Sequence, residues 1–222
     1  MARPKVPLIS KRVTLETALK IIDREGLEEL SMRRLARELD INGASLYHHF
    51  RNKDEILLGA ALLALGDARL PGIEVADWRE WFIDQARLYR RALLKHPALV
   101  TVILKQHPHR IALNFYDAAV SILLDNGVPS SSIIPLLESM ESFTIGSVLY
   151  SIAAKADANN LGKAHKALGQ ARRTAASHVS DEELWETVAR AITDAILGPA
   201  KPAKRTPARR VQPPNRHGAK AS

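Results

Sequence analysis

Residues 31–50, SMRRLARELDINGASLYHHF, leave this chain few folds to choose from. Ser31 is placed to cap a short helix whose apolar residues Met32, Leu35, Ala36 and Leu39 share one face. Asp40 follows, a residue that tolerates the left-handed backbone of a tight turn. A second short helix then carries Ala44, Leu46, Tyr47 and Phe50. Leu46 and Phe50, four apart, anchor it inward, while Leu39 and Ile41 bracket the turn as core plugs. Ala36 is small where two helices must cross. This is helix-turn-helix grammar, in which the second helix enters a major groove of duplex DNA. The outward face offers Gly43, Ser45, His48 and His49. Small Gly43 and Ala44 permit a close approach, and Ser45 can bond a base edge or a phosphate. Tyr47 and Lys53 suit phosphates.

Helical periodicity dominates the rest of the chain, and no strand pattern stands out. The spacing predicts a first helix capped by Thr14 and stopped by Gly26, and a fourth capped by Asn52. Pro71-Gly72 breaks the pattern. Asp77 is expected to cap a helix with Trp78, Trp81, Phe82, Gln85, Leu88, Tyr89 and Ala92 on one face. Pro97 and Pro108 suit the first turns of two more helices, the second ending at Gly127. Ser130–Ser132 should start a long helix reaching about Ala156. Residues 157–180 read as part loop, part marginal helix. Ser180 and the acids Asp181, Glu182, Glu183 and Glu186 read as a helix-start device, and Gly198-Pro199 ends that helix. The fold class is therefore all-α: an N-terminal three-helix DNA-binding domain over 13–58 and a larger helical bundle over 59–198.

Charge sharpens the division. The chain carries +8 overall, yet residues 1–58 contribute only +2 and 59–198 contribute −1. Residues 199–222 hold seven basic residues, no acid and five of the 12 prolines, so a disordered basic tail is expected. Residues 1–12, with Arg3, Lys5, Lys11 and Arg12, read as a flexible basic arm. No apolar run is long enough for a membrane span and no secretory signal is visible, which leaves the cytoplasm as the default. With no cysteine, no phosphate loop, no GxSxG and no HExxH, enzyme chemistry is not expected. No cofactor or metal is expected either. Adjacent His48 and His49 diverge by about 100° on a helix and form no joint chelate. His107 and His109 flank Pro108 in what reads as a surface loop.

The helix TLETALKIIDREG followed by LSMRRLARELDINGASLYHHFRNKDEIL resembles the DNA-binding domain of the tetracycline repressor (TetR) family. WREWFIDQARLYRRALLKHP and FTIGSVLYS resemble, more weakly, the regulatory domain of its tetracycline-repressor branch. The resemblance implies a homodimer that places one helix-turn-helix in each of two adjacent major grooves of double-stranded operator DNA. It puts Arg33, Gly43, Ser45 and His48 at base-contacting positions, and Tyr47, His49 and Lys53 at phosphate-contacting ones. Gly43 departs from the long polar residue of that branch, so no operator sequence carries over.

The resemblance also implies a small-molecule effector. Gln85 and Tyr89 align with a ligand-binding amide and aromatic, although an internal hydrogen bond or an edge position would equally explain them. Ile103 and Tyr150 stand where that branch has a metal-ligand histidine and a metal-ligand carboxylate. Magnesium–tetracycline is therefore not expected as the ligand. Gln85, Tyr89, Val100, Ile103, Phe115, Leu137, Met140 and Tyr150 would line a mostly apolar pocket, suited to an apolar or aromatic effector. The helices near 131–156 and 181–197 would form the dimer interface, with Ser139, Gly146 and Ser147 allowing close approach. The expected function is a ligand-responsive regulator, a repressor released by its effector. An architectural protein that binds DNA without sequence preference through its basic tail is the alternative.

Overall fold

In the computed structural model the first helix, α1 (Lys11–Glu25), begins earlier than expected. Ser10 is the cap, accepting the Val13 N–H at 3.1 Å. Thr14 lies a turn inside, fully buried, and its hydroxyl donates to the Ser10 carbonyl at 3.2 Å. The Arg12–Glu16 pair, one turn apart, supports the added residues. Lys11 and Arg12, read as the end of an arm, thus form the first turn of α1. The structure describes residues 10–66, 77–106, 113–157 and 165–199. Residues 1–9 of the arm, the Pro71-Gly72 break, the His107–Pro108–His109 segment and the tail beyond 199 lie outside them.

Local chemistry explains most of the boundaries. Gly26, at φ +95°, takes a positive-φ conformation that favours glycine and ends α1, and its N–H closes on the Ile22 carbonyl. In α2 (Met32–Glu38) the Ser31 hydroxyl accepts the Arg34 N–H. Asp40 turns the chain at φ +52°, the one non-glycine residue with positive φ among those described. Asn42 caps α3 (Gly43–Tyr47) and Asn52 caps α4 (Lys53–Leu65). Asp77 caps α5 (Trp78–Lys95) through two N–H groups. Then come α6 (Leu99–Gln106), α7 (Leu113–Asp125) and the long α8 (Ser130–Asp157). The marginal segment forms α9 (Lys166–His178), uncapped by any side chain at its start. Ser180 and Glu183 form a capping box for α10 (Asp181–Leu197).

Two buried clusters hold these helices together. The first joins Ile21 and Ile22 of α1, Leu35 of α2, Leu46 of α3 and Ile56 of α4. It continues without a break into Leu93, Leu99, Ile103 and Val148 of α5, α6 and α8. The boundary expected at 58/59 lies within α4, the helix that carries this cluster across it. A buried His96 at the end of α5 strengthens that junction, with Nδ1 2.9 Å from the Asp23 carboxylate on α1. The second cluster joins Phe82 and Ile83 of α5, Leu123 of α7, Leu136 and Met140 of α8, and Trp185 and Ala189 of α10.

The acids expected to start α10 do more than that. Only Glu183 serves the cap. Asp181 meets Arg90 at 2.5 Å, Glu182 meets Arg91 at 2.5 Å, and Glu186 meets Arg87 at 2.7 Å. Farther along, Arg190 forks onto Glu80, and Arg79 reaches Asp194. Numbers rise on α5 as they fall on α10, so the two helices run antiparallel and are laced by charge.

Hydrogen bonds from Arg190 hold the Glu80 and Glu186 carboxyls below the ordinary carboxylate value. A lowered folded pKa adds stability that is complete above the unfolded value of 4.5 and lost as pH falls through the folded values. The melting temperature is therefore expected to drop on acidification below about pH 4.5, modestly, because the pairs face solvent. Arg190→Leu should flatten that drop in a series of thermal melts; an unchanged pH profile would contradict the assignment.

Candidate nucleic-acid interface and ligand cavity

The apolar spacing of α2 and α3 decides what the first site presents. Leu35, Ala36, Leu46 and Phe50 are buried, while Leu39 and Ile41 pack on the cluster edge. That locks α3 with its other face outward. Tyr47 is 60% exposed, His48 is exposed, and Ser45, His49 and Gly43 are half-buried. A Cβ built on Gly43 would meet nothing within 4 Å, so packing does not demand glycine there. Lys53 is engaged: its ammonium donates to the Leu27 carbonyl at 2.9 Å. That leaves two N–H donors to turn outward.

The arginines of α2 divide into two kinds. Arg34 is fastened to Glu25 at 2.9 Å and to Glu38; those contacts raise its pKa, Arg34 lowers that of Glu38, and Arg24 followed by Arg34 lowers that of Glu25. It is a structural clasp between α1 and α2. Arg33 is exposed and pairs with no carboxylate among the described residues. Arg37, not anticipated from the sequence, behaves in the same way. Its position four after Arg33 was the available signal.

The second site is a cavity of about 200 Å³ between α4, α5, α6, α7 and α8. Gln85, Tyr89, Ile103, Phe115, Leu137 and Met140 line it, as the sequence led us to expect. Two expected residues do not. Val100 is buried in the first cluster, and Tyr150 is 71% exposed on the far side of α8. The reason is angular. The cavity-facing register of α8 runs through Leu137, Met140, Glu141 and Thr144. Tyr150 lies six residues past Thr144, about 240° around the helix.

The polar members of the lining are partly new. Tyr89 donates to Glu141 Oε1 at 3.4 Å, and the Tyr116 hydroxyl bonds the same carboxylate. Burial first, and then the Glu141 charge, raise both phenol pKa values, so both stay neutral donors. Glu141, Tyr116 and Thr144 were missed as cavity residues, although Glu141 and Thr144 fall at helical spacing from Leu137. Three buried polar atoms on the lining have no hydrogen-bond partner: Trp81 Nε1, Gln85 Oε1 and Thr144 Oγ1. Each such orphan costs about 1–3 kcal/mol. The Gln85 carbonyl makes no internal hydrogen bond and lines the cavity, whereas the Tyr89 hydroxyl has an internal partner in Glu141.

The α4 helix serves both places. Its N-terminal end abuts the helix-turn-helix, and Leu62, Leu65 and the adjoining Gly66 reach the cavity wall. Residues 15–60 match the family described as bacterial regulatory proteins, tetR family. Residues 70–195 match the tetracyclin repressor-like C-terminal domain. The chain belongs to the TetR family. It is a DNA-binding helix-turn-helix transcription regulator with a ligand-binding domain, all-α in class. The class C tetracycline repressor of Escherichia coli is 30% identical over 70% of this chain and 72% of its own. A helix-turn-helix transcriptional regulator of Saccharopolyspora erythraea is 31% identical over 64% of this chain and 61% of its own. Among solved TetR-type folds, ActR from Streptomyces coelicolor superposes with TM-score 0.68 at 24% identity, over 89% of this chain and 97% of that one. No helix among the described residues of this TetR-family chain is long and apolar enough to cross a membrane.

Proposed function

We propose that the chain is a repressor that binds a palindromic operator as a homodimer and is released when a small apolar or aromatic effector fills the cavity. The observation that carries this is the span of α4, from the reading head to the cavity wall. A ligand that displaces Leu62 or Leu65 moves the helix on which the head is mounted. Because half-sites must match the spacing of two heads, a small displacement weakens operator binding. DNA contact falls to Arg33, Gly43, Ser45 and His48 at base edges, and to Tyr47, His49 and Lys53 at phosphates.

A second copy is supported by the outer faces of α8 and α10. Ile134, Leu149 and Tyr150 on α8 and Leu184 on α10 are large, apolar or aromatic, and exposed. A Cβ on Gly146 would meet nothing within the protomer, which leaves room for another helix. Tyr150 is thus assigned to the face between copies rather than to its own protomer's cavity.

The effector is apolar or aromatic with one or more polar groups, complementary to Trp81 Nε1, Gln85 Oε1 and Thr144 Oγ1. Magnesium–tetracycline is not expected to bind. Ile103 brings no metal ligand to the wall, and the Glu141 carboxylate is engaged by Tyr89 and Tyr116. A calorimetric titration should show no magnesium-dependent heat; micromolar binding that requires magnesium would refute this.

Mobility-shift titration of the DNA upstream of the protein's own gene, against a scrambled duplex, tests the whole reading. At least about a thousandfold preference for one palindromic site is expected. Equal affinity for both duplexes would favour architectural binding through the basic tail. By linkage, operator and effector must weaken each other by the same factor.

A further inference from the structure

We propose that Arg37 reads a base directly, its fork taking a guanine edge in the notch over Gly43, apart from the base contact assigned to Arg33. This rests on the operator-binding reading above.

Four arginines lie on α1 and α2 near the reading face. Arg24 and Arg34 share Glu25 and Glu38 between them. Both of those carboxylates are taken. Arg33 and Arg37 are left exposed, one helical turn apart, with no acid among the described residues to pair with either. Like charges at this spacing repel and slightly destabilise a helix. Nothing in the protomer accounts for keeping both.

The space beside them is shaped for a ligand. Arg33, Arg37 and Tyr47, with Met32, Ala36, Ile41 and Gly43, line an open notch of about 370 Å³. Gly43 does not have a left-handed φ, and a Cβ there would strike nothing, so neither backbone nor packing requires glycine. Its missing side chain leaves a void on the first residue of α3, the helix that a helix-turn-helix sets in the major groove. Arg37 lines the same notch as Gly43. Its planar fork can take either the N7 and O6 acceptors of guanine or two oxygens of a phosphate, and its place beside the void at the first residue of α3 favours the base. The readout that other chains would place at position 43 thus passes to a residue on α2.

Selection from a randomised duplex pool with full-length protein, its Arg37→Ala variant and its Arg37→Lys variant tests this. The unaltered protein should select a motif with a symmetric guanine in each half-site. Arg37→Ala should leave that position degenerate and lose about 5- to 150-fold in affinity for the consensus duplex. Arg37→Lys, whose ammonium lacks the planar fork but can still reach guanine acceptors, should restore only part of the guanine preference. Substituting 7-deazaguanine at that position should weaken the unaltered protein and leave Arg37→Ala unaffected, a comparison that does not depend on any variant folding. An unchanged selected motif would overturn the proposal. So would a loss uniform across sequences with a shallower salt dependence, which marks a phosphate contact. If the unaltered protein selects no motif at all, the operator-binding reading itself falls.

Discussion

Replacing Trp185 with alanine is expected to destabilise the protein by about 3–5 kcal/mol, the range for truncating a large core aromatic. Trp185 is 2% exposed at the centre of the second buried cluster. Phe143 stacks on it, with centroids 6.2 Å apart and planes 13° apart. The Arg90 guanidinium lies 5.7 Å from the ring on α5. The indole N–H has no partner, so truncation removes packing and no hydrogen bond. Trp185→Phe keeps a stacking ring and should cost far less. Denaturant titration by circular dichroism measures both. An alanine cost below about 1 kcal/mol would mean that the site collapses around the smaller side chain and that Trp185 is not the keystone described.

The second large effect is expected at Leu46, the fully buried anchor of α3. Leu46→Ala should cost about 2–5 kcal/mol, through lost burial plus an unfilled cavity. Recognition should suffer more than the melting point suggests. A helix of five residues has almost no stability of its own, so α3 owes its orientation to this one contact and to Phe50. Operator affinity is expected to collapse while cavity ligands still bind, because the cavity wall takes nothing from α1, α2 or α3. Amide exchange should show loss of protection concentrated in residues 31–50, and uniform loss across the chain would contradict this picture.

What the sequence made legible was local. Side-chain caps at Ser31, Asn52, Asp77 and Ser180 stand where the residue types placed them, because a cap is decided within four residues. The inward face of α3 followed from two apolar residues four apart. Thr14 shows the limit: Ser10 and Thr14 are both competent caps, and the choice turned on whether Lys11 and Arg12 joined the helix. The site was less legible wherever partners are distant in the chain. Arg34 and Arg33 look alike in sequence, yet Glu25 on another helix fixes one and leaves the other free. The acids of α10 find arginines about ninety residues away. Tyr150 was assigned to the cavity from its place in a resemblance, but a two-residue step from buried Val148 turns a side chain through about 200°.

The unbroken first cluster has a consequence for how reading heads evolve. Ile21, Leu46 and Ile56 share one apolar interior with Leu93, Leu99 and Ile103, and the Asp23–His96 contact crosses the same seam. A head cut away after α4 would expose that seam to water. Grafting it onto a foreign ligand-binding bundle would work only if the recipient's α6 offered matching knobs. New pairings of operator and effector in such a chain would therefore arise by altering side chains on the two outer surfaces, with the seam left intact, and not by shuffling the halves as cassettes.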